Sequence, residues 1–170
     1  MIPEWVSWID SGNLTALIPT LRQNPHMRTS MRPHTAFQTD IATPLGYAIL
    51  TDNQVIVRAL LRHDDANNVC WHDMDADDDC DELDALGLAV QKRVQWLTLD
   101  TLLTYGSPSP DSLRFALYCV VEELANAAQK KDEPDPYLKH VRRELQQALQ
   151  EALEYLDRFY AVRWCAENIL

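Results

Sequence analysis

Apolar side chains recur at three- and four-residue steps on either side of a polar break at Asp52–Asn53. Thr43 can cap the first of the two segments with its hydroxyl, and Pro44 suits the first helical position, which needs no backbone donor. The pattern predicts two short amphipathic helices joined by a turn. Their apolar positions are Leu45, Ala48 and Ile49 before the break and Ile56, Val57, Leu60 and Leu61 after it.

The last part of the chain carries a longer amphipathic pattern, which follows a charged break with two prolines at 132–136. Those prolines should end the preceding helix, and from Tyr137 to Leu170 the sequence contains neither glycine nor proline. The pattern predicts one helix over 136–170, which at about 1.5 Å per residue would be roughly 45 Å long. Its apolar stripe is Leu138, Val141, Leu145, Leu149, Ala152, Leu156 and Phe159.

Three other stretches reproduce parts of the pattern at 43–61. Residues 86–106 repeat both halves, with one extra residue between them near Trp96. Residues 5–21 resemble a first copy, and residues 113–117 resemble the start of a fourth. These copies are degenerate, so the stretch at 43–61 gives the clearest register.

The segment 43–61 resembles an ankyrin repeat. In it, Thr43-Pro44-Leu45 is followed by Ala48 and then by the apolar pairs that begin at Ile56. Ankyrin units bury their apolar faces only against neighbouring copies, and they normally serve as binding surfaces. The resemblance implies an all-α fold in one domain overall. Residues 4–125 would form a short ankyrin-like α-solenoid of three to four helix pairs, closed by a long C-terminal capping helix over 136–170.

Two structural alternatives stay open at this point. The stretch at 43–61 could be an ordinary helical hairpin rather than a repeat. The C-terminal helix could form a coiled-coil seam between two chains instead of a cap, although a monomer is favoured.

The spacing between copies is longer than in the ankyrin family. Leu45 and Leu86 are 41 positions apart, whereas the ankyrin period is about 33 residues. The excess falls in an enlarged loop over 64–84, and the loop over 24–42 is lengthened similarly; in this family such loops edge the concave binding face. The loop over 24–42 is basic and polar, and the loop over 64–84 is acidic. We expect them either to pair with each other or to present a bipolar edge to a partner.

Composition indicates a folded chain with an acidic surface. Hydrophobic residues make up 46% of the 170 residues, which is too many for a disordered chain. No apolar run suits a membrane span and no signal peptide is evident, so we expect a cytoplasmic protein, with a signal-free secretion route left open. The net charge of −11 disfavours nucleic-acid binding, because neutralising phosphates needs a basic surface.

The negative charge is concentrated between Asp73 and Asp84, where eight carboxylates occur. We expect this run to attract a basic protein partner quickly and in a salt-dependent way, with two exposed tryptophans as apolar anchors. The predicted partner-binding residues are Trp71, Asp73, Asp75, Asp77, Asp78, Asp79, Asp81, Glu82 and Trp96.

The acidic run also has two other interpretations. One is a solvated loop that only keeps the protein soluble. The other is a calcium loop, because aspartates occupy alternate positions as in an EF-hand. Against calcium, Asp78 stands where the turn requires glycine, and the closing glutamate is absent.

Cysteine and histidine positions form no recognisable metal or catalytic motif. Cys70, His72 and Cys80 would supply only three zinc ligands at irregular spacing, while Cys119 and Cys165 lie in apolar helical patterns that predict buried thiols. The sequence has no phosphate-binding glycine loop, nucleophile elbow or His-Glu-x-x-His helix. We therefore predict no metal, no cofactor and no catalytic residue.

These observations favour a protein-binding module over an enzyme. The leading hypothesis is an inhibitor or immunity-type protein that neutralises a basic protein, such as a toxin, by direct binding. A bacterial ankyrin effector acting on host proteins and a structural adaptor are the alternatives, and the choice among the three rests on family analogy.

Overall fold

The computed structural model of the chain describes residues 2–34, 40–73, 82–130, 133 and 135–169. The prediction of a mostly helical fold is confirmed, and a small antiparallel sheet is an addition that the all-α prediction lacked. The helices in the described residues are α1 (Glu4–Asp10), α2 (Leu14–Gln23), α3 (His26–Thr29), α4 (Pro44–Leu50), α5 (Gln54–Leu60), α6 (Ala85–Gln91), α7 (Trp96–Tyr105), α8 (Pro110–Gln129) and α9 (Pro136–Ile169). The strands are β1 (Arg32–Pro33), β2 (Asp40–Ala42), β3 (Trp71–Asp73) and β4 (Glu82–Leu83).

The chain divides into two compact units, Met1–Pro108 and Ser109–Leu170. The first contains α1 to α7 and the four strands, and the second contains α8 and α9. The division falls before α8, whereas the sequence pattern placed the end of the repeats near residue 125. The organisation as one domain and the capping role of the C-terminal helix stay predictions.

One tight turn joins each of the helix pairs α1–α2, α4–α5 and α6–α7. The middle residue of the turn has a left-handed backbone, which is costly for any residue except glycine. These residues lie 40 and 41 positions apart: Gly12 (φ 68°), Asp52 (φ 56°) and Arg93 (φ 52°). The next residue donates its backbone N–H to the fifth residue before it, at N–O distances of 2.7 Å for Asn13 to Trp8, 3.1 Å for Asn53 to Ala48 and 3.1 Å for Val94 to Ala89.

The three helix pairs contact one another in chain order. Helix α4 contacts α1 and α6, while α5 contacts α2 and α7. The apolar positions that the sequence assigned to α4 and α5 are buried between the helices, except Leu61, which follows α5 and is only partly buried. Among the side chains that are at most 1% exposed are Ile9, Leu17, Ala48, Ile56, Leu86, Ala89 and Leu99. Ala48 and Ala89 are small, so the first helices of neighbouring pairs can approach closely.

A side-chain cap begins α4 and another begins α6. Thr43 Oγ1 accepts a hydrogen bond from the backbone N–H of Gly46 at 3.2 Å, as the sequence predicted. Asp84 Oδ1 accepts one from the N–H of Gly87 at 2.7 Å. The segment Asp84-Ala-Leu-Gly87 therefore repeats the local role of Thr43-Pro-Leu-Gly46, and one carboxylate of the acidic run is a helix cap.

The two enlarged loops meet in the sheet, whose strand order is β1-β2-β3-β4 with antiparallel neighbours. Segment 24–42 supplies α3, β1 and β2, and segment 64–84 supplies β3 and β4. Ala42 of β2 lies opposite Trp71 of β3. The expectation that the loops pair with each other is therefore confirmed for their backbones.

Gly46 lies against the backbone that enters β3. The carbonyl oxygen of Cys70 accepts a hydrogen bond from the N–H of Thr43 at 2.9 Å, and the N–H of Cys70 donates to the carbonyl of Leu83 at 2.8 Å. A Cβ atom at residue 46 would overlap the Cys70 carbonyl oxygen. We call this contact the Cys70 junction, and it requires glycine at residue 46.

The second unit consists of two long helices that pack against each other. Helix α8 ends at Gln129 and α9 begins at Pro136 and has 34 residues, so the predicted break at 132–136 and the long C-terminal helix are confirmed. Each helix has a buried apolar face, formed by Leu113, Ala116 and Val120 on α8 and by Leu138, Val141 and Leu145 on α9. None of the described helices combines the length and the apolar character that a membrane crossing requires.

The region expected to begin a fourth copy has a different form from the first three. Leu113 lies in a helix of 20 residues, whereas the first helix of each earlier pair has 7 residues. Within α9, Leu145 is fully buried in the single chain, so it is not available to a coiled-coil seam. Among the side chains of α9 up to residue 159, which the structure describes, the exposed large apolar ones are Tyr155 (69%) and Phe159 (51%).

Replacing Gly46 with alanine should lower the free energy of unfolding of the first unit by about 1–3 kcal/mol, because the new methyl group displaces the Cys70 carbonyl. Helix propensity acts in the opposite direction, since alanine is favoured over glycine inside a helix. Urea unfolding followed by circular dichroism measures the loss. Amide chemical shifts should change in β3 for Gly46→Ala but not for Gly12→Ala, which strains the left-handed turn at residue 12 (φ 68°) but whose added Cβ meets nothing within 4 Å. Unchanged β3 shifts in both variants would contradict the Cys70 junction.

Replacing Leu145 with glutamate should destabilise the second unit by about 3–5 kcal/mol, because it places an unpaired charge in a fully buried position. Thermal unfolding at neutral pH is the measurement. Tyr155→Glu adds the same charge to the same helix at an exposed position and should change stability by less than about 0.5 kcal/mol. If both variants melt like the parent, the packing of α9 is not as described.

Candidate binding surface on the hairpin sheet

Residues from both enlarged loops share one face of the sheet. Asp40 lies opposite Asp73, and Trp71, two residues from Asp73 on the same strand, shares its face. His34 follows β1, and its Nε2 atom is 3.5 Å from Asp40 Oδ2. We refer to His34, Asp40, Trp71 and Asp73 as the hairpin surface; Asp40 and Asp73 are its partly exposed members, whereas His34 and Trp71 are buried.

Trp71 does not have the exposed position that the sequence analysis gave it. Its side chain is only 4% exposed, its Nε1–H donates to Asp40 Oδ2 at 2.9 Å, and the Lys92 ammonium lies 4.3 Å from the centre of its ring. The prediction of an exposed anchor at Trp71 is therefore wrong. The cross-strand pairing with Ala42 turns the indole inward, where it orients the Asp40 carboxylate.

The other predicted anchor, Trp96, is the first residue of α7 and is partly exposed. Trp96 therefore lies in the second helix of the pair α6–α7 and not in the sheet. Its role in partner binding stays a prediction.

The acidic run is described only at its two ends. Asp73 is partly exposed on β3, Glu82 is exposed on β4, and Asp84 caps α6. Asp75, Asp77, Asp78, Asp79 and Asp81 lie outside the described residues, so their predicted part in partner binding and the calcium alternative stay untested. Asp84, which would be the last calcium ligand, already accepts the Gly87 N–H.

A ring cluster that the sequence did not predict lies where α1, α4 and the hairpin surface meet. The Tyr47 ring is 5.8 Å from that of Trp5 and 5.0 Å from that of His34. Its hydroxyl donates to Asp10 Oδ1 at 2.8 Å. Burial, followed by the hydrogen bond to Asp10 and the charge of that carboxylate, raises the pKa of Tyr47 to about 12. Tyr47 is therefore a neutral donor that links two helix pairs.

His34 is the least satisfied member of the hairpin surface. It is 5% exposed, and neither ring nitrogen has a hydrogen-bond partner. Buried polar atoms without partners cost free energy, so the ring nitrogens of His34 oppose stability, while its ring packs against Tyr47. A single histidine in a polar loop gave no sequence signal for this position.

Reactive thiols and metal clusters do not contribute to the described surface. Cys70 is fully buried, and burial, together with the nearby Asp84 charge, raises the pKa of its thiol far above the usual value. Cys119 was predicted to be buried but is only partly so. Among the described residues, no group of three or more His, Cys, Asp or Glu side chains is placed to hold a metal ion. The side chains of Cys80 and Cys165 lie outside the part of the chain that the structure describes.

The hairpin surface thus combines two partly exposed carboxylates, Asp40 and Asp73, with two buried rings, and the Lys92 ammonium lies against one of those rings. Comparisons of the chain with protein-family models, with curated proteins and with solved structures returned no match.

Proposed function

We propose that the chain is a protein-binding module built as an ankyrin-like stack, and that it inhibits a basic protein partner by binding it directly through the hairpin surface and the adjacent acidic run. The observation that carries the proposal is the repetition of one helix–turn–helix unit in the first compact unit.

The repeated turn supports the ankyrin-like stack. The left-handed residues at 12, 52 and 93 and the backbone hydrogen bonds that follow them recur in three successive pairs. First helices contact first helices and second helices contact second helices, which is the arrangement expected when repeats bury their faces against neighbours. The longer period of 40 to 41 residues corresponds to the hairpins that the enlarged loops form.

The position of the charge supports a basic partner. Asp40, Asp73 and Glu82 lie on the hairpins, and the remaining carboxylates of the acidic run follow Asp73 in the sequence. The enlarged loops, and not the helices, therefore carry most of the chain's excess negative charge in this unit. Charge of one sign on protruding loops increases the association rate with an oppositely charged protein.

Inhibition is proposed ahead of catalysis because the helix pairs resemble ankyrin repeats, which normally serve as binding surfaces. Near the hairpin surface, Cys70 is buried, Tyr47 is a neutral donor, and Trp71 orients a carboxylate. A stoichiometric inhibitor needs only such a rigid surface, whereas an enzyme needs an activated group near a substrate site.

The acidic run should accelerate partner association. We expect Asp75, Asp77, Asp78 and Asp79 changed together to asparagine to lower the association rate constant about tenfold or more at low ionic strength, with a smaller effect at high salt. The partner is first captured from the native cell by the tagged parent chain and identified by mass spectrometry. Association rates are then measured for both chains at two ionic strengths, and partner activity is measured with one equivalent of each.

A matched control separates local charge from total charge. Glu122, Glu151, Glu154 and Asp157 are exposed carboxylates in the second unit, and changing them to Gln, Gln, Gln and Asn alters the net charge by the same amount. This control should associate like the parent. Equal slowing in both variants, or no slowing in either, would contradict recognition by the acidic run, and a partner that stays fully active in the complex would contradict inhibition.

A further inference from the structure

A cleft of about 390 Å³ lies beside the hairpins, within the first compact unit. Its walls come from the segments that lead into and out of the sheet: α3, the start of α4, and residues 63–70 between α5 and β3. Ligand pockets in proteins span roughly 300–1,000 Å³, so this cleft suits one side chain rather than a large cofactor.

Asp64 lines this cleft, and its buried carboxylate is incompletely hydrogen-bonded. Its side chain is 10% exposed, and Oδ1 lies 3.9 Å from Arg28 Nε, beyond hydrogen-bonding distance. Oδ2 is buried and has no hydrogen-bond partner. Burial raises the pKa of Asp64 to about 6, and the Arg28 charge opposes this only in part. A buried carboxylate in this condition lowers stability unless something else compensates its charge.

Two of the arginines near the cleft already have contacts of their own. Arg28 Nη1 donates to the carbonyl oxygen of His63 at 2.7 Å, and Arg22 Nη2 lies 3.2 Å from His63 Nε2. Burial and the charges of Arg22, Arg28 and Arg62 lower the pKa of His63, so this imidazole is neutral near pH 7.

Among the charged residues that line the cleft, two carboxylates therefore face one guanidinium. Asp65 Oδ1 accepts from the N–H and the side-chain amide of Asn67 at 2.9 and 2.8 Å, while Asp64 has no such donor at Oδ2. The lining residues alone carry an excess of one negative charge at neutral pH, which one added cation would balance; Arg22 and Arg62 lie near His63 but are not part of the lining.

Part of the remaining wall is apolar, next to the polar side chains of Thr29, Thr43 and Asn68. Pro25, Leu45 and Val69 line the cleft together with the charged residues, and Val69 is exposed at its edge. An aliphatic stem that ends in a cation matches this combination, because lysine and arginine bury their methylene groups along apolar surfaces while the charged head reaches a polar partner.

We propose that this cleft is a subsite for one basic side chain, a lysine or an arginine, of the protein partner, whose charged head binds the Asp64 carboxylate while its stem packs on Pro25, Leu45 and Val69. The identification of the donor as a partner protein rests on the proposed function. The preference of the cleft for a cation on an aliphatic stem does not.

Small probes test the cleft without the partner. We expect Nα-acetyl-lysine methylamide, or its arginine counterpart, to shift the backbone amide signals of Asn68 and Val69 in the intact chain. The same titration should lower the pKa of Asp64 measured by carboxyl NMR, since a cation favours the charged form. Nα,Nε-diacetyl-lysine methylamide has the stem without the charge and should cause neither shift. An equal or larger response to Nα-acetyl-glutamate methylamide would overturn the proposal.

Two variants locate the binding group. Asp64→Asn should weaken binding of the lysine probe about tenfold or more, the effect expected for losing a hydrogen bond to a charged group. Asp100→Asn removes the same charge from an exposed position on α7 and should leave probe binding unchanged. Equal binding by the parent and by Asp64→Asn would overturn the proposal.

Thermal stability distinguishes a binding role from a structural one. Because the pKa of Asp64 is raised from 3.8 to about 6 by folding, its unfavourable charge is absent below about pH 4 and complete above about pH 6. We therefore expect Asp64→Asn to melt several degrees higher than the parent at pH 7 and close to it at pH 4. A lower melting temperature at pH 7 would make Asp64 a structural partner of Arg28 and would overturn the proposal.

The two proposals can fail separately. The lysine probe should still bind the chain in which Asp75, Asp77, Asp78 and Asp79 are neutralised, because that run is not part of the cleft. If no basic partner is captured, the probe titration still decides whether the cleft prefers a cation. If the probes do not bind, the partner association experiment still decides the proposed function.

Discussion

The close approach of α4 to the backbone of residue 70 is the contact on which the first unit depends. The carbonyl oxygen of Cys70 receives the N–H of Thr43, and the N–H of Cys70 reaches Leu83. Cys70 thereby links Thr43, the cap of α4, to β3, which begins at the next residue, and to β4, which contains Leu83. Glycine at residue 46 is the condition for this approach. The sheet, and with it the hairpin surface, is held in place relative to the repeated helix pairs by this junction.

Local rules were sufficient to predict α4, α5 and α9, but not α3 or the 20-residue length of α8. Thr43, Pro44 and the polar break at Asp52 carry information in the residues themselves, since caps and turns depend on side chains within a few positions. The long helix α9 was predictable for the same reason, because an uninterrupted apolar stripe follows a pair of prolines. Asp84 carried a usable signal that was missed: its spacing to Gly87 repeats that of Thr43 to Gly46, yet its place in an acidic run suggested only charge.

Distant contacts could not be predicted in this way. The strands have two or three residues each, which is too short for alternation to be recognised. Trp71 was expected to be exposed because acidic residues follow it, but its orientation depends on Asp40, 31 positions earlier. The cleft at Asp64 depends on Arg28, which is also far away in the sequence. Such features follow from tertiary packing and have no local pattern.

Hydrogen–deuterium exchange of the chain alone and in complex with its captured partner tests the central claim most directly. If the hairpins form the recognition surface, amides in 32–34, 40–42, 71–73 and 82–84 should exchange more slowly in the complex, and those of α9 should be unchanged. Exchange in the free chain should already be slow in the buried helices α4 and α6, since a rigid module needs no folding on binding. Protection confined to α8 and α9, with unchanged hairpins, would contradict the account.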